Sequence, residues 1–550
     1  MRGASDAVDA GEGEVLIVGS VEVCGEGRIL RTERGEVVHR SITRMKLCNS
    51  FEIATVSGTT LVSFARPITS SAPMFAPHPM TGLCSFHRSS RCSASAQELG
   101  EWHFQSGAIQ RLLPPWMGVS VEREANPLED GARAELTIRF RLLALRMTAR
   151  HSEVVRPRQF VDTQERGPFA SWRHTHRFLP SKDGGSSIED SIRFDPKGGM
   201  FARLLIEPFM QRSLARQFAF RHVRVREDLR RHAEFNARFG VQALRIGVTG
   251  ASGVVGTQLC AFLSTGGHSV VHFTRSAPRN SSERQWNPLD AEHGVDAKSI
   301  EDLDVIIHLA GEPIAAGRWT PARKRRILES RATGTMAMSR AIARAQRKPA
   351  AFLSASGVGY YGAHGDEWVD EKSKCGEGFL AEVARTWEEA THEARDAGVR
   401  TAQLRFGVIL TASGGALGKM LPAFRMCAGG RVGSGTQGFS WISLDDAIAA
   451  MLFVARNDQI SGAVNCVAPN AITQREFASV LGRVLRRPTI APLPAFVVRA
   501  LLGELGQCLL LEGAFVRCGV LEREGFRFAH ASLEAALRLE LGRLQCDGID

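Results

Sequence analysis

The chain has 550 residues, of which 44% are hydrophobic and 23% charged, and its formal net charge is +11. These values are ordinary for a globular protein, and the length allows two or three domains. No run of about 18 uncharged apolar residues occurs, so we expect no membrane span. Basic and acidic residues are interspersed along the chain, so we interpret the charge as solvated surface and expect no nucleic-acid partner.

The eleven cysteines are scattered and form no C-x-x-C pair. This argues against a disulfide framework and against a structural zinc site, and it favours a reducing compartment. We therefore expect a cytoplasmic protein without a metal site. Tyrosine occurs only twice, as Tyr360 and Tyr361.

Residues 1–83 are predicted to be an extension, either disordered or used in targeting. Between Glu52 and Glu98 no acidic residue occurs, and Ser, Thr, Ala and Pro are frequent. That composition suits a transit peptide, and with it an organellar location, but an acidic segment precedes it. A start at Met45 would remove this objection, and a reading frame begun too far upstream would explain the same residues.

Residues 84–235 predict a domain that combines a sheet with one long helix. The residues from 201 to 232 show an apolar stripe at helical spacing with arginines opposite. A curved antiparallel sheet closed over this helix is a plausible α+β pair of layers. The predicted strands are short, partly alternating segments separated by Gly, Pro or Asp, at residues 119–122, 134–140, 159–162 and 187–194.

Several motifs in this region together resemble the START-like, polyketide-cyclase-type (SRPBCC) domain, in the variant fused ahead of an epimerase-like domain. The resemblance implies an apolar ligand in a cavity between sheet and helix, which the His and Trp residues could line. Buried, hydrogen-bonded core residues are the alternative for these side chains. The motifs are Trp102-His103, Arg111 to Trp116, Phe160 to Asp162, Gly167 to Phe169, Trp172 to His176 and Phe220 to His222.

A glycine-rich loop lies between a short apolar strand at residues 243–248 and a helix predicted for residues 257–264. Gly250 permits a tight turn, Gly253 lets the backbone approach a pyrophosphate, and Gly256 allows the helix to pack closely on the strand. Phosphates bind at such a helix N-terminus because its N–H groups are unpaired and the dipole favours anions. This context of strand, loop and helix predicts a dinucleotide site.

Arg275 follows the next predicted strand, residues 269–274. An acidic residue at this place would accept hydrogen bonds from a ribose 2′-hydroxyl and repel a 2′-phosphate, whereas a guanidinium does the opposite. Arg275 therefore favours NADP(H) over NAD(H). An incidental surface arginine is the alternative.

Further apolar strands alternate with helices along the chain. This alternation predicts an α/β fold with a parallel, doubly wound Rossmann sheet. The strands are predicted at residues 304–309, 350–354 and 401–404, and the helices at residues 321–346 and 379–397.

The same part of the chain resembles the extended short-chain dehydrogenase/reductase superfamily, and within it an atypical epimerase-like branch with a dedicated C-terminal segment. The resemblance covers about residues 244–541. It implies a Rossmann domain at residues 243–424 and a substrate-facing C-terminal lobe at residues 425–545. The motifs are Thr249 to Gly256, His308 to Gly311, Arg318-Trp319, Ser330 to Thr335, Ser354 to Gly362, Arg405 to Gly407, Ser440 to Ile442, Gly462 to Asn465, Ala468-Pro469 and Gly525-Phe526.

The glycine-rich loop and the resemblance to the short-chain dehydrogenase/reductase superfamily together predict which residues contact the cofactor. They are Thr249, Gly250, Ser252, Gly253, Val254, Gly256, Arg275, Leu309, Ala310, Gly311 and Ser354.

Enzymes of that superfamily use a serine, a tyrosine and a lysine four residues beyond the tyrosine. This chain has no Tyr-x-x-x-Lys, and the corresponding positions fall near Phe379 and Val383. Ser356 aligns with the usual serine, and Tyr361 is expected just beyond the same strand, so these two are the predicted catalytic residues. Arg331 stands where related enzymes often carry Asn, and it is a candidate for binding an anionic substrate.

Two functions fit these features. The first is an NADP(H)-dependent oxidoreductase or epimerase with altered acid–base residues, acting on a small molecule. The second is a non-catalytic NADP(H)-binding protein with a regulatory or interaction role. Names linked to cell division among some members of the branch are consistent with the second.

Overall fold

The computed structural model describes residues 83–140 and 143–544, and four short strands between residues 37 and 63. Two compact units are present, residues 1–82 and residues 83–550. The first contains an antiparallel sheet in the order β1-β4-β3-β2. Its strands are β1 (Val37–Val38), β2 (Lys46–Leu47), β3 (Phe51–Val56) and β4 (Thr59–Ser63). The remainder of the predicted extension lies outside the described residues.

The second unit begins with a seven-stranded antiparallel sheet, in the order β5-β11-β10-β9-β8-β7-β6. Two short helices follow the first strand, and one long helix follows the last. The strands are β5 (Cys84–Cys92), β6 (Val119–Arg123), β7 (Arg133–Phe140), β8 (Leu143–Val155), β9 (Gln159–Arg166), β10 (Phe169–Pro180) and β11 (Ser186–Pro196). The helices are α1 (Ala96–Phe104), α2 (Ala108–Leu112) and α3 (Gly199–Phe239).

Helix α3 covers one face of this sheet. Its buried stripe includes Leu214 and Phe218, which pack against Phe194 and other apolar residues of β5 and β11. In the middle of the same face the buried residues are His174, His176 and Asp190 rather than apolar ones. The apolar ligand cavity expected between sheet and helix is therefore not supported, because hydrogen-bonded polar side chains occupy the middle of this layer and packed apolar side chains surround them.

A second seven-stranded sheet is entirely parallel, in the order β14-β13-β12-β15-β16-β18-β22. Its strands are β12 (Arg245–Thr249), β13 (Ser269–Thr274), β14 (Glu283–Gln285), β15 (Val305–His308), β16 (Ala351–Gly357), β18 (Arg400–Phe406) and β22 (Gly462–Cys466). From β12 the successive strands are added first on one side of the sheet, as β13 and β14, and then on the other side, beginning with β15. The predicted Rossmann-type parallel sheet is thus present.

The connecting helices of this sheet are α4 (Val254–Thr265), α5 (Pro321–Arg344), α6 (Phe379–Glu389), α7 (His392–Asp396) and α9 (Leu444–Arg456). The single helix predicted for residues 379–397 is broken into α6 and α7. Strand β22 and helix α9 belong to the parallel-sheet layers, so that sheet extends beyond the boundary at residue 425 expected from the sequence.

The other C-terminal elements form three small two-stranded sheets and short helices. The strands are β17 (Trp368–Val369), β19 (Val408–Leu410), β20 (Gly438–Phe439), β21 (Trp441–Ser443), β23 (Ile472–Thr473) and β24 (Phe515–Val516). The helices are α8 (Gly415–Arg425), α10 (Gln474–Leu485), α11 (Ala495–Leu502), α12 (Glu504–Gly506), α13 (Gly519–Arg523) and α14 (Leu533–Glu540). Among the described residues, no helix is both long and apolar enough to cross a membrane.

Arg111 on α2 joins the antiparallel part of this unit to the parallel part. Its buried guanidinium donates to both carboxylate oxygens of Asp228 on α3, at 2.6 and 2.8 Å. It also donates to Gln258 on α4 at 2.8 Å and to Asp445 on α9 at 3.0 Å. One side chain therefore connects three helices, including the helix that follows the glycine-rich loop.

Candidate cofactor and substrate site

The glycine-rich loop connects β12 to α4 at the carboxyl edge of the parallel sheet. Gly250 has a φ of +69° and lies against Leu309 and Ala310, so a side chain there would be strained and would have no room. A Cβ added to Gly256 would lie 2.2 Å from the carbonyl oxygen of Gly250. The first and third glycines are therefore required for the loop to fold back on its own helix.

The N-terminus of α4 is open. Gly253 occupies the N-cap position, and no described side chain accepts a hydrogen bond from the first turn there. Ser252, Gly253 and Val254 are exposed. Free backbone N–H groups at an exposed helix start favour an anion such as a phosphate.

Thr249 and the end of β15 are held together by one hydroxyl. Thr249 is buried, and its Oγ1 accepts hydrogen bonds from the backbone N–H groups of Leu309 at 3.0 Å and Ala310 at 3.2 Å. The same Oγ1 lies 2.9 Å from Nδ1 of His308, whose pKa burial lowers to about 3. Because Oγ1 already accepts two hydrogen bonds, its hydroxyl donates the third to Nδ1 of the neutral imidazole. Thr249 thus positions residues 309–311 rather than presenting its side chain to a ligand.

Arg275 lies just beyond β13 and is exposed. Its guanidinium makes no hydrogen bond or ion pair with any residue that the structure describes. Arg279, four residues later, is different, because it forms an ion pair with Glu283. Arg275 therefore has a positive charge available beside the edge that carries the glycine-rich loop.

Arg331 on α5 is buried and has no carboxylate within ion-pair distance in the described part of the chain. Its Nη1 donates to the backbone carbonyls of Glu312 at 3.0 Å and Ile327 at 3.1 Å, and its Nε has no described partner. A Cβ added to Gly311 would lie 3.1 Å from its Cζ, so the guanidinium lies against the end of β15. Burial lowers the pKa of Arg331 to about 10, which still leaves it charged at neutral pH.

Ser356, near the end of β16, belongs to a buried polar network. Its hydroxyl donates to Oε1 of Glu388 on α6 at 2.8 Å. Arg405 on β18 donates to both oxygens of the same carboxylate, each at 2.8 Å. The guanidinium also lies over the ring of Tyr360, 3.5 Å from its centroid. Ser356 is thus held in one orientation by a paired carboxylate.

Ser354, two residues earlier on the same strand, is buried, and its hydroxyl donates to the carbonyl of Ala355.

Tyr361 is fully buried in the same network. Its hydroxyl donates to Oδ1 of Asn465 at 2.7 Å and accepts from Nη1 of Arg405 at 3.0 Å. Burial is the main cause that raises the pKa of this phenol to about 12. These partners give Tyr361 the role of a packed, hydrogen-bonded residue, so we do not retain it as a proton donor to substrate.

The two positions at which the sequence predicts the equivalents of the usual tyrosine and lysine are part of the core. Phe379 and Val383 on α6 are buried together with Ile327 of α5. Lys324 lies with its Nζ 4.4 Å from the centroid of the Phe379 ring and forms an ion pair with Glu504 at 2.8 Å. A cavity of about 400 Å³ opens here, lined by Lys324, Cys375, Gly376, Glu377, Gly378, Phe379, Glu382 and Arg385.

Glu388 is a site residue that our sequence analysis did not identify. It continues a buried face of α6, since Ala381, Ala384 and Glu388 recur at helical spacing. An acidic residue at such a position needs a partner, and this is the signal that was present in the sequence. The partner, Arg405, lies on a different strand and could not be assigned without the fold.

Comparisons with known proteins match the parallel-sheet part of the chain and the C-terminal segment that follows it. Residues 246–466 match the model of the NAD dependent epimerase/dehydratase family, and residues 493–539 match a domain of unknown function, DUF1731. An epimerase family protein of Mycobacterium leprae is 40% identical over 292 residues, which cover 53% of this chain and 94% of the relative.

Two solved structures are also similar. A nucleoside-diphosphate sugar epimerase from Corynebacterium glutamicum is 31% identical with a TM-score of 0.69, covering 84% of this chain and 91% of its own. The human epimerase family protein SDR39U1, solved with NADPH, is 34% identical with a TM-score of 0.50, covering 55% and 100%. On these identities and coverages, the chain belongs to the NAD dependent epimerase/dehydratase family.

Proposed function

We propose that this chain binds NADP(H) at the β12–α4 loop and acts as an oxidoreductase or epimerase on a small molecule bound beside α6. The observation that carries the proposal is the open start of α4, where Ser252, Gly253 and Val254 are exposed and no described side chain caps the helix. Phosphate oxygens can accept hydrogen bonds from these N–H groups. Leu309, Ala310 and Gly311 border the same edge, and Thr249 positions them.

The preference for NADP(H) rests on Arg275. Its guanidinium is exposed, lies next to the end of β13 and has no described partner. In this fold the residue at that place faces the 2′ position of the adenosine ribose. A 2′-phosphate there would receive charge-assisted hydrogen bonds. The NADPH in the human relative's structure is in line with this preference.

Within this proposal, the bound cofactor supplies or accepts a hydride, and the chain's own residues position the substrate. Ser356 is oriented by Glu388, and the free lone pairs of its hydroxyl oxygen can accept a hydrogen bond from a substrate hydroxyl. Arg331 offers a buried charge without a carboxylate partner, which suits an anionic or strongly polar substrate group. Since Phe379 and Val383 carry no exchangeable proton, Ser356 with Glu388 replaces the usual tyrosine and lysine.

A pair of arginine variants tests the cofactor. For Arg275→Ala we expect the Kd for NADPH to rise about 10–100-fold, because a hydrogen bond to a charged group contributes about 1.5–3 kcal/mol. The Kd for NADH should change little. Arg279→Ala is the matched control, because its guanidinium is already paired with Glu283. Equal losses for both cofactors in the Arg275 variant would contradict the assignment of the 2′-phosphate.

Turnover tests the reaction. The purified chain should oxidise NADPH in the presence of a carbonyl compound from a broad panel, and Ser356→Ala should lower kcat by about 10²–10⁴-fold, the contribution of a positioned acid–base group. Tight NADPH binding without turnover across such a panel would instead leave a binding protein, and the enzymatic part of the proposal would fall.

For residues 84–235 we propose a START-like helix-grip domain. Seven antiparallel strands, two short helices after the first strand and one long helix after the last support this assignment. The similarity to the Corynebacterium structure extends over 84% of this chain, which is more than the parallel-sheet part contains. A crystal structure in which α3 does not cross the sheet would contradict it.

A further inference from the structure

The antiparallel sheet carries a cluster of imidazoles and carboxylates that the proposed oxidoreductase site does not use. His174 and His176 are two residues apart on β10, so their side chains point to the same face. His174 is directly opposite Asp162 on β9, and His176 is directly opposite Asp190 on β11. Directly opposite residues have Cβ atoms only about 4.5–5.5 Å apart, so the pairing of three strands assembles the cluster.

Three donor atoms of this cluster converge. Oδ2 of Asp162 lies 3.2 Å from Nε2 of His176 and 3.8 Å from Nδ1 of His174. One donor atom from each of the three residues lies within 4.8 Å of the other two. Around a tetrahedral zinc ion with bonds of about 2.1 Å, neighbouring ligand atoms are about 3.4 Å apart. The two distances measured from the carboxylate lie on either side of that value.

Asp190 is placed as a carboxylate behind the two imidazoles. Its Oδ1 lies 2.9 Å from Nε2 of His174 and 2.8 Å from Nδ1 of His176, the ring nitrogens that point away from Asp162. When both rings carry their protons on the Asp190 side, the opposite nitrogens present lone pairs towards Asp162. Two lone pairs and a carboxylate oxygen then face one another, an arrangement that a bound cation stabilises; without one, a proton on Nε2 of His176 makes the hydrogen bond to Asp162. Histidine ligands of metals are oriented by such a second carboxylate.

The surroundings hold these groups in place and leave one approach. Nε2 of His222 on α3 donates to Oδ2 of Asp190 at 2.6 Å, and its Nδ1 lies 2.8 Å from the hydroxyl of Ser90, which ties the helix to the cluster. Nδ1 of His151 lies 2.6 Å from Oδ1 of Asp162, the oxygen that does not face the two imidazoles. The side chain of Asp162 is 21% exposed, whereas those of His174 and His176 are 5% and 7% exposed. An ion can therefore reach the carboxylate side first.

We propose that Asp162, His174 and His176 form a binding site for one divalent transition-metal ion. Two imidazoles and one carboxylate are the donors that Zn²⁺ and Fe²⁺ accept, and three protein ligands leave coordination positions free for a further ligand. Our sequence analysis expected no metal, because the scattered cysteines form no C-x-x-C pair. Here the ligands alternate along one strand and come from its neighbour, a pattern with no such signature.

The test uses the full chain, stripped of metal with a chelator and titrated with Zn²⁺ and Co²⁺. We expect one tight equivalent of either ion, and for Co²⁺ the strong visible absorption of a low-coordinate site. Asp162→Asn should weaken binding at least 100-fold, and Asp190→Asn about 10–100-fold, as for second carboxylates at known sites. His87→Gln is the matched control, because this exposed histidine lies on the same sheet away from the cluster.

Each variant is checked for NADPH affinity, which reports that the chain is folded and does not depend on the metal site. Should His176→Gln fail to fold, the isosteric Asp162→Asn variant still gives the answer, because that side chain lies at the opening of the cluster. Metal binding that is equally tight in the wild-type chain and in Asp162→Asn, or that is lost in His87→Gln, would overturn the proposal.

Discussion

The two large sheets of this chain place their polar residues in opposite locations. In the parallel sheet the central strands β12, β15 and β16 are mainly apolar, and polar side chains such as Thr249, His308 and Ser356 gather at the carboxyl edge. In the antiparallel sheet the polar side chains lie in the middle of the strands, beneath a helix.

The difference follows from how each sheet is covered. Helices on both faces of a parallel sheet leave only its edge open to a ligand. An antiparallel sheet with one covered face can bury a polar group only where neighbouring strands supply partners. At the parallel edge those partners include Arg405, which pairs directly with Glu388, whereas in the antiparallel cluster Asp162 and Asp190 are contacted by imidazoles, with the charge of Arg221 nearby. The network of Glu388 and Arg405 is fully paired, whereas the cluster of Asp162, His174 and His176 is the proposed cation site.

The largest effect on cofactor binding should come from closing the open edge at the glycine-rich loop. In Gly256→Ala the new Cβ would lie 2.2 Å from the carbonyl oxygen of Gly250, so the loop must move away from its helix. We expect NADPH to bind about 100-fold more weakly, as measured by fluorescence titration. Gly418→Ala in α8 is the control, since its Cβ would make only ordinary contacts. Unchanged affinity in the Gly256 variant would mean that the cofactor does not bind at this loop.

Removing the carboxylate from the completed network should cost stability. In Glu388→Ala the guanidinium of Arg405 stays buried without its partner, which lowers the free energy of unfolding by about 3–5 kcal/mol. The neighbouring Glu389→Ala loses only an exposed pair with Arg385, with an expected cost below about 0.5 kcal/mol. Denaturant unfolding measures both. Similar costs for the two variants would show that the network is not buried as described.

The parallel edge should also make folding sensitive to acid. Burial, and secondarily the charge of Arg331, lowers the pKa of His308 to about 3, against about 6.5 in an unfolded chain. Below pH 6.5 the unfolded chain takes up a proton that the folded chain refuses, so stability falls as the pH drops towards 3. At pH 5 this histidine accounts for about 2 kcal/mol of that loss.

The variant His308→Asn isolates this effect, because its amide oxygen can still accept the Thr249 hydroxyl. Its unfolding free energy should depend less on pH between 6.5 and 5 than that of the wild-type chain. The exposed His293→Gln should leave the dependence unchanged. A His308 variant with the wild-type slope would contradict a neutral, buried imidazole.

The smallest predicted effects concern the two adjacent tyrosines, whose hydroxyls should contribute differently to the free energy of unfolding. Tyr361→Phe leaves Asn465 and Arg405 each without one buried partner, at an expected cost of about 1–3 kcal/mol in unfolding free energy. Tyr360→Phe removes a hydroxyl that bonds to no described residue and should change stability by less than about 0.5 kcal/mol. A large loss of kcat with little loss of stability in Tyr361→Phe would restore its catalytic role.

The parallel edge could be predicted from the sequence because its signals are contiguous. The loop from Thr249 to Gly256 follows one strand and starts one helix, and local chemistry gives each glycine its purpose. The pairing of Glu388 with Arg405 was beyond prediction, since it depends on which strand follows β16 in the sheet. Likewise, the pairing of His176 with Asp190 depends on strand register, and register is a property of the folded sheet.

The hydrogen bonds of Arg111 also determine whether the antiparallel and parallel parts can be produced as separate fragments. Its guanidinium pairs with Asp228 and Asp445 at once and donates to Gln258 of α4. A fragment cut between residues 239 and 245 would retain Asp445 and Gln258 without that guanidinium, and would expose the apolar side of α9 that meets Phe235 and Phe239. The antiparallel part thus covers an apolar and charged surface of the parallel-sheet part. If either part were produced alone, that surface would be exposed, and polar substitutions there would be needed to keep the fragment in solution.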